Sequence, residues 1–272
     1  MYLFNSWRKT KMAIINNLYV LWTLLVRDAL VFKKNTLDQM INAVVWGASI
    51  ITVAHFIMPS IGVNAEYGAF MFVGSIAVWG LFETISDSAI LVADIAGHQQ
   101  ISYFLTLPIP QSFIFIRLAL FNAYKSSITP LPIFAIGKYI LGNSLPLNHI
   151  SFGKLLPFYL LINIFYGFFG LFLASISENL ETITKIRTRY LFPLWFLGCY
   201  NFPWATLQTH SPLFAKISLI NPIVYVLEGL RSTILNPTDY MPFWTCAGAI
   251  VCFTFLFGYC GVQNLKRRLD CL

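Results

Sequence analysis

Of the chain's 272 residues, 57% are hydrophobic and only 11% charged, where soluble domains carry about 25% charged residues. That is too little polar surface to coat a globule of this size, so a soluble fold is excluded. The formal charge of +7 would suit nucleic acid in a soluble protein. Here the basic residues flank long apolar runs and mark topology, so no nucleic-acid partner is expected. At roughly 20 apolar residues per crossing, the length admits about six or seven crossings and no separate soluble domain. The expectation is an all-α integral membrane protein, one transmembrane domain over 1–272.

The first apolar run, 13–34, is interrupted by Asn16, Asn17, Arg27 and Asp28 and ends at Lys33-Lys34. It reads as an amphipathic helix lying in the cytoplasmic interface; the other reading is a first spanning helix. Six spans follow, at about 38–58, 67–91, 112–137, 155–177, 189–207 and 242–263. Pro130 and Pro132 should kink or break the third, and Gly167 and Gly170 should allow close helix contact at the fourth. Trp46, Trp79, Trp195, Trp204 and Trp244 lie in these spans, several near an end, where such rings favour the headgroup level. With the N-terminus inside, twelve Lys and Arg fall on inner segments and four on outer ones, with Arg117 and Lys125 inside the third span. The asymmetry places both termini in the cytoplasm and makes the number of spans even. Two connections are long: 92–111 on the inner side, and 208–241 on the outer side, where Asn221-Pro222 starts a short helix.

Motifs for soluble chemistry are missing from the sequence. No cysteine pair has metal-site spacing, and the four histidines are scattered without carboxylate or cysteine neighbours at ligand spacing. No H-E-x-x-H, no G-x-S-x-G and no G-x-x-x-x-G-K-[S/T] phosphate loop occurs. No metal site, no cofactor and no nucleotide held by this chain are expected.

The last 80 residues carry a recognisable pattern: a basic loop, then FPLWFLGCYNFPWATL, then ISLINPIVYVLEGLRSTIL and a final span. With Phe192, Pro193, Phe202, Pro203, Asn221, Pro222, Tyr225, Glu228 and Arg231 at the marked positions, the chain resembles the permease subunit of the type-2 family of ATP-binding-cassette exporters. The resemblance implies a half-transporter: two copies, or two related permeases, form the pathway, and two separate ATPase subunits hold ATP and magnesium. It implies that the 92–111 loop docks on the ATPase through a Leu- and Pro-containing element at its end, to which LTLPIP at Leu105–Pro110, with Pro108 inside it, is similar. The start of that loop departs from the family, carrying only Asp94 and His98. It implies further that 221–231 forms an outer gate helix, and that the substrate is amphipathic, such as a lipid-linked glycan, a lipid or a hydrophobic drug. Membrane lipids are partners throughout, in what composition suggests is a bacterial inner membrane.

Charges inside spans are costly and usually face protein or water. Glu83 and Asp87, at i and i+4, share one face of the second span, either as part of the pathway or an interface, or with Asp87 simply hydrated near the inner end. Arg117 is near enough to the inner end to snorkel. Lys125 lies about 12 Å further along, to pair with Glu83 or to meet an anionic substrate. Glu228 and Arg231, three apart, bridge each other for local stability or as a gate. The rival functions are a membrane-embedded lipid-modifying enzyme and a non-transporting scaffold subunit.

Overall fold

A computed structural model describes residues 2–97, 100–107, 109–145 and 150–270, with side chains from residue 16 onward other than those of Ser102 and Asp270. Twelve helices and two short 3-10 turns (Gly142–Ser144 and Pro237–Asp239) order the chain among these residues, with no strand among them. The helices are α1 (Tyr2–Phe32), α2 (Thr36–Ser60), α3 (Tyr67–Gly97), α4 (Gln100–Leu105), α5 (Gln111–Ile128), α6 (Leu131–Leu141), α7 (Phe152–Ile176), α8 (180–200), α9 (Trp204–His210), α10 (Pro212–Ser218), α11 (Pro222–Ile234) and α12 (Phe243–Asp270). The all-α membrane character stands. Among the described residues four helices, α2, α3, α7 and α12, are long and apolar enough to cross a bilayer. A fifth crossing is counted if α10 and α11, bent by 97° against each other, are one broken span.

The crossings expected at 112–137 and 189–207 are helical but interrupted, and each interruption has a chemical cause. At Pro130 the missing N–H and the ring end α5, and α6 restarts at Leu131. In α8 a π-helical turn at Arg187–Leu191 widens the coil, and the chain kinks at Gly198–Cys199. The helix stops where Cys199 takes a left-handed φ of 65°, a conformation that favours glycine. Pro203 then precedes α9, so the expected span to 207 is two pieces. The N-terminal helix is a single run to Phe32, ended by the Lys33-Lys34-Asn35 turn, and is not among the helices apolar enough to cross. The 92–111 connection is shorter than expected as a loop, because α3 itself continues to Gly97.

At 31 residues α3 is about 46 Å long, well over the roughly 30 Å of hydrocarbon. It is the central helix: 94% of its most apolar stretch is buried inside the chain. Its neighbour α7 supplies the small residues that allow this packing. A Cβ on Gly167 would run into the Ala119 carbonyl oxygen of α5. On the other side of α7, Ser88 of α3 donates to Gly170 O at 2.9 Å and Thr84 to Tyr166 O at 3.2 Å. Both glycines thus serve close helix approach, as the sequence suggested. At the far end of α12, Arg268 donates to Ser177 O (2.6 Å) and Glu178 O (2.8 Å) just past the end of α7, and at 3.4 Å to Ala174 O in its last turn.

Candidate coupling, intramembrane and re-entrant sites

At the end of the bundle where α3 turns back, Asp94 organises the connection. Its two carboxylate oxygens accept from Gln100 N (2.9 Å) and Ile101 N (2.8 Å), which caps the start of α4. Of the other residues singled out there, Leu105 is half-buried and Pro110 exposed, while His98 and Pro108 lie outside the described residues. The residue that fixes α4 is Phe104, 5% exposed. The Arg117 guanidinium of α5 lies 4.0 Å from its ring centre and that of Arg27 in α1 4.9 Å. Asp28 holds both cations, at 2.6 Å to Arg27 and 3.3 Å to Arg117. One aromatic ring thus joins the N-terminal helix, the short connecting helix and α5, with cation–π contacts on a buried plate. Arg117 does not snorkel; it is 4% exposed and committed to this clamp. On the other side of α4, Tyr103 is 65% exposed, and Thr106 is exposed as well.

Higher in the bundle, Lys125 donates to Asp87 at 2.6 Å. The expected partner was Glu83; the packing of α5 against α3 sets the ammonium level with Asp87, one turn on. Glu83 is nevertheless buried beside the pair, and neither carboxylate oxygen has a well-formed hydrogen bond, the Thr129 hydroxyl and Trp79 indole being its nearest donors. Around it stand Trp79, whose indole N–H donates to Thr129 Oγ1 at 3.0 Å, and Tyr159, whose hydroxyl donates to Ser127 O at 2.8 Å. The sequence offered no sign of Thr129 or Tyr159 as members of this cluster, since nothing local distinguishes a polar residue that faces protein from one that faces lipid.

At the opposite end, α11 is held from its first residue to its last. Asn221 caps it, accepting from Ile223 N at 3.0 Å, and its amide donates to Leu194 O of α8 at 2.6 Å. Pro222 occupies the first turn, where no N–H is needed, and Tyr225 donates to Leu219 O at 3.0 Å. Glu228 and Arg231 are both fully buried. Their closest approach is 3.8 Å, and their hydrogen bonds go elsewhere. Glu228 accepts from Trp204 N (3.1 Å) and Met241 N (3.3 Å), tying down the start of α9 and the turn before α12. Arg231 donates to Cys199 O (2.7 Å) and Tyr200 O (2.8 Å), and its guanidinium lies 3.5 Å from the Phe70 ring centre. The carbonyls it takes are those freed where α8 breaks. Burial pushes the Tyr240 hydroxyl, in the turn after α11, up to about 12, so it stays neutral.

A family model described as ABC-2 type transporter matches residues 19–235. That match takes in the Arg27–Asp28–Arg117–Phe104 clamp, the Glu83–Asp87–Lys125 cluster and the whole of α11. No curated protein matches the chain. The chain therefore belongs to the ABC-2 type transporter family, as the permease component of such a transporter.

Proposed function

We propose that this permease is one half of an exporter driven by two ATPase subunits docked on the exposed face of α4. What supports the reading is the construction of the clamp. One face of α4, through Phe104, is locked to α1 and α5 by Arg27, Arg117 and Asp28; the other, with Tyr103 and Thr106, is open for a partner. A push on the open face is delivered to α1 and α5 together, and alternating access follows if the two packings of these elements differ in free energy by little. In this reading both termini are cytoplasmic, in a bacterial inner membrane, and α1 rides in the interface. A second copy, or a related permease, completes the pathway. Because α3 is enclosed within its own chain, the pathway runs between the two copies, which favours an amphipathic cargo entering from the lipid: a lipid-linked glycan, a lipid or a hydrophobic drug. Asn221, Pro222, Tyr225, Glu228 and Arg231 hold the outer gate.

The test is co-purification of the tagged chain in mild detergent. Recovery of an ATPase subunit in equal amount, lost with Tyr103→Asp or Leu105→Asp while the permease itself remains monodisperse, is the expected result. Recovery of the permease alone under several gentle conditions would sink the docking assignment.

A further inference from the structure

Glu83 raises a charge problem that the transporter reading does not solve. It is 5% exposed in the middle of α3. The titratable groups that face it are Asp87 on its own helix, Lys125 on α5 and Tyr159 on α7, with Trp79 and Thr129 as the neutral polar neighbours. Tyr159 donates its proton to Ser127 O, Trp79 donates to Thr129, and Thr129 donates to Lys125 O at 3.2 Å. Lys125 is the one cation of the group, and it is taken by Asp87 at 2.6 Å. Two carboxylates therefore share one ammonium in a medium where an uncompensated charge is very costly, and the carboxylate left over has no well-formed hydrogen bond on either oxygen, its nearest donors being the neutral Thr129 hydroxyl and Trp79 indole. A metal cation would need a shell of several oxygens, and the neighbouring carboxylate is already engaged.

We infer that Glu83 is a proton-binding site within the bilayer, occupied in this conformation, so that the buried group is one ion pair and one neutral acid. Binding converts the carboxylate and a hydronium ion to the carboxylic acid and water. Release of the proton leaves a second anion one helical turn from Asp87, competing for Lys125. Proton occupancy thereby selects which turn of α3 the ammonium of α5 holds. The inference stands without the transport reading.

The measurement is infrared spectroscopy of the full chain in lipid nanodiscs at pH 7, with the chain's five glutamates carrying a carboxyl isotope label. A buried carboxylic-acid carbonyl band that shifts with the label, vanishes in Glu83→Gln and persists in Glu228→Gln is the expected result. Asp87→Asn frees Lys125 for Glu83 and should abolish the same band with Glu83 intact. Lys125→Met should keep the band and add an unlabelled one from Asp87. No label-sensitive acid band in the wild type at pH 7, or one unaffected by Glu83→Gln, overturns the proposal. So does a band that appears only when sodium and potassium are replaced by choline, since that would mean a metal cation displaces the proton. If Glu83→Gln fails to fold, the Asp87→Asn and Lys125→Met pair decides alone.

Discussion

Replacing Arg231 with alanine removes both donors from Cys199 O and Tyr200 O and leaves Glu228 buried without a cation. Deleting one partner of a buried pair costs about 3–5 kcal/mol, and two orphaned carbonyls are of the same order; because these overlap, about 4 kcal/mol is expected. The share owed to Glu228 can be separated. At 3.8 Å and an effective dielectric constant of about 20, two unit charges interact by about 4 kcal/mol, and the backbone N–H groups on Glu228 lower that to a coupling of about 3 kcal/mol. The double variant Glu228→Ala/Arg231→Ala should therefore lose about 3 kcal/mol less than the sum of the singles. Arg231→Lys keeps the charge but not the two-pronged donor geometry, and should recover less than half of the loss. The assay is reversible denaturation in mixed micelles, followed by tryptophan emission. Additivity of the singles within about 0.5 kcal/mol would refute the argument that these two residues stabilise each other, and would leave Arg231 as a backbone tether alone.

Phe104→Ala removes the plate between two guanidinium groups. Two cation–π contacts at about 0.5–1 kcal/mol each plus a core truncation give a loss of about 4 kcal/mol locally, and the expected phenotype in the reconstituted complex is ATP hydrolysis that continues while transport falls at least tenfold. Gly167→Leu drives a side chain into the α5 backbone at Ala119 and should abolish monodisperse expression. Gly170→Ala, whose Cβ meets the Thr84 methyl and Ser88 hydroxyl at 3.0–3.3 Å and the Thr84 carbonyl oxygen at 3.6 Å, should express and melt within a few degrees of the wild type. Asn221→Ala removes a helix cap and the tie to Leu194; about 2 kcal/mol, read as lower melting temperature with unchanged ATPase binding, is the expected outcome.

Hydropathy and charge placement made the membrane class, the position of α3, α7 and α12, and the short helix after Asn221 legible, because each is a local property of composition or capping. The Pro130 break was legible for the same reason. The end of α8 at Cys199 was not: no glycine or proline sits at that residue, and the carbonyls at the left-handed turn are taken by Arg231, 32 residues later. Pairing failed in the same way. Glu83 and Asp87 share a helix face, so the sequence cannot tell which of them meets Lys125; that depends on how α5 settles against α3. The clamp escaped notice because Phe104 looks like any apolar residue of a loop, and its meaning comes only from Arg27 and Arg117, 77 and 13 positions away in the sequence.

The break in α8 and the arginine of α11 depend on each other. Were α8 to run on as a regular helix, Tyr200 O would be claimed by Trp204 N while Cys199 O would face Pro203, which has no N–H, and Arg231 would keep one acceptor of the two it now has. Were Arg231 lost first, the broken turn would be left with bare carbonyls. Either change alone is costly, so relatives of this permease are expected to carry the pair or lack it as a unit, and engineers who transplant α11 into another permease should bring the bend of α8 along.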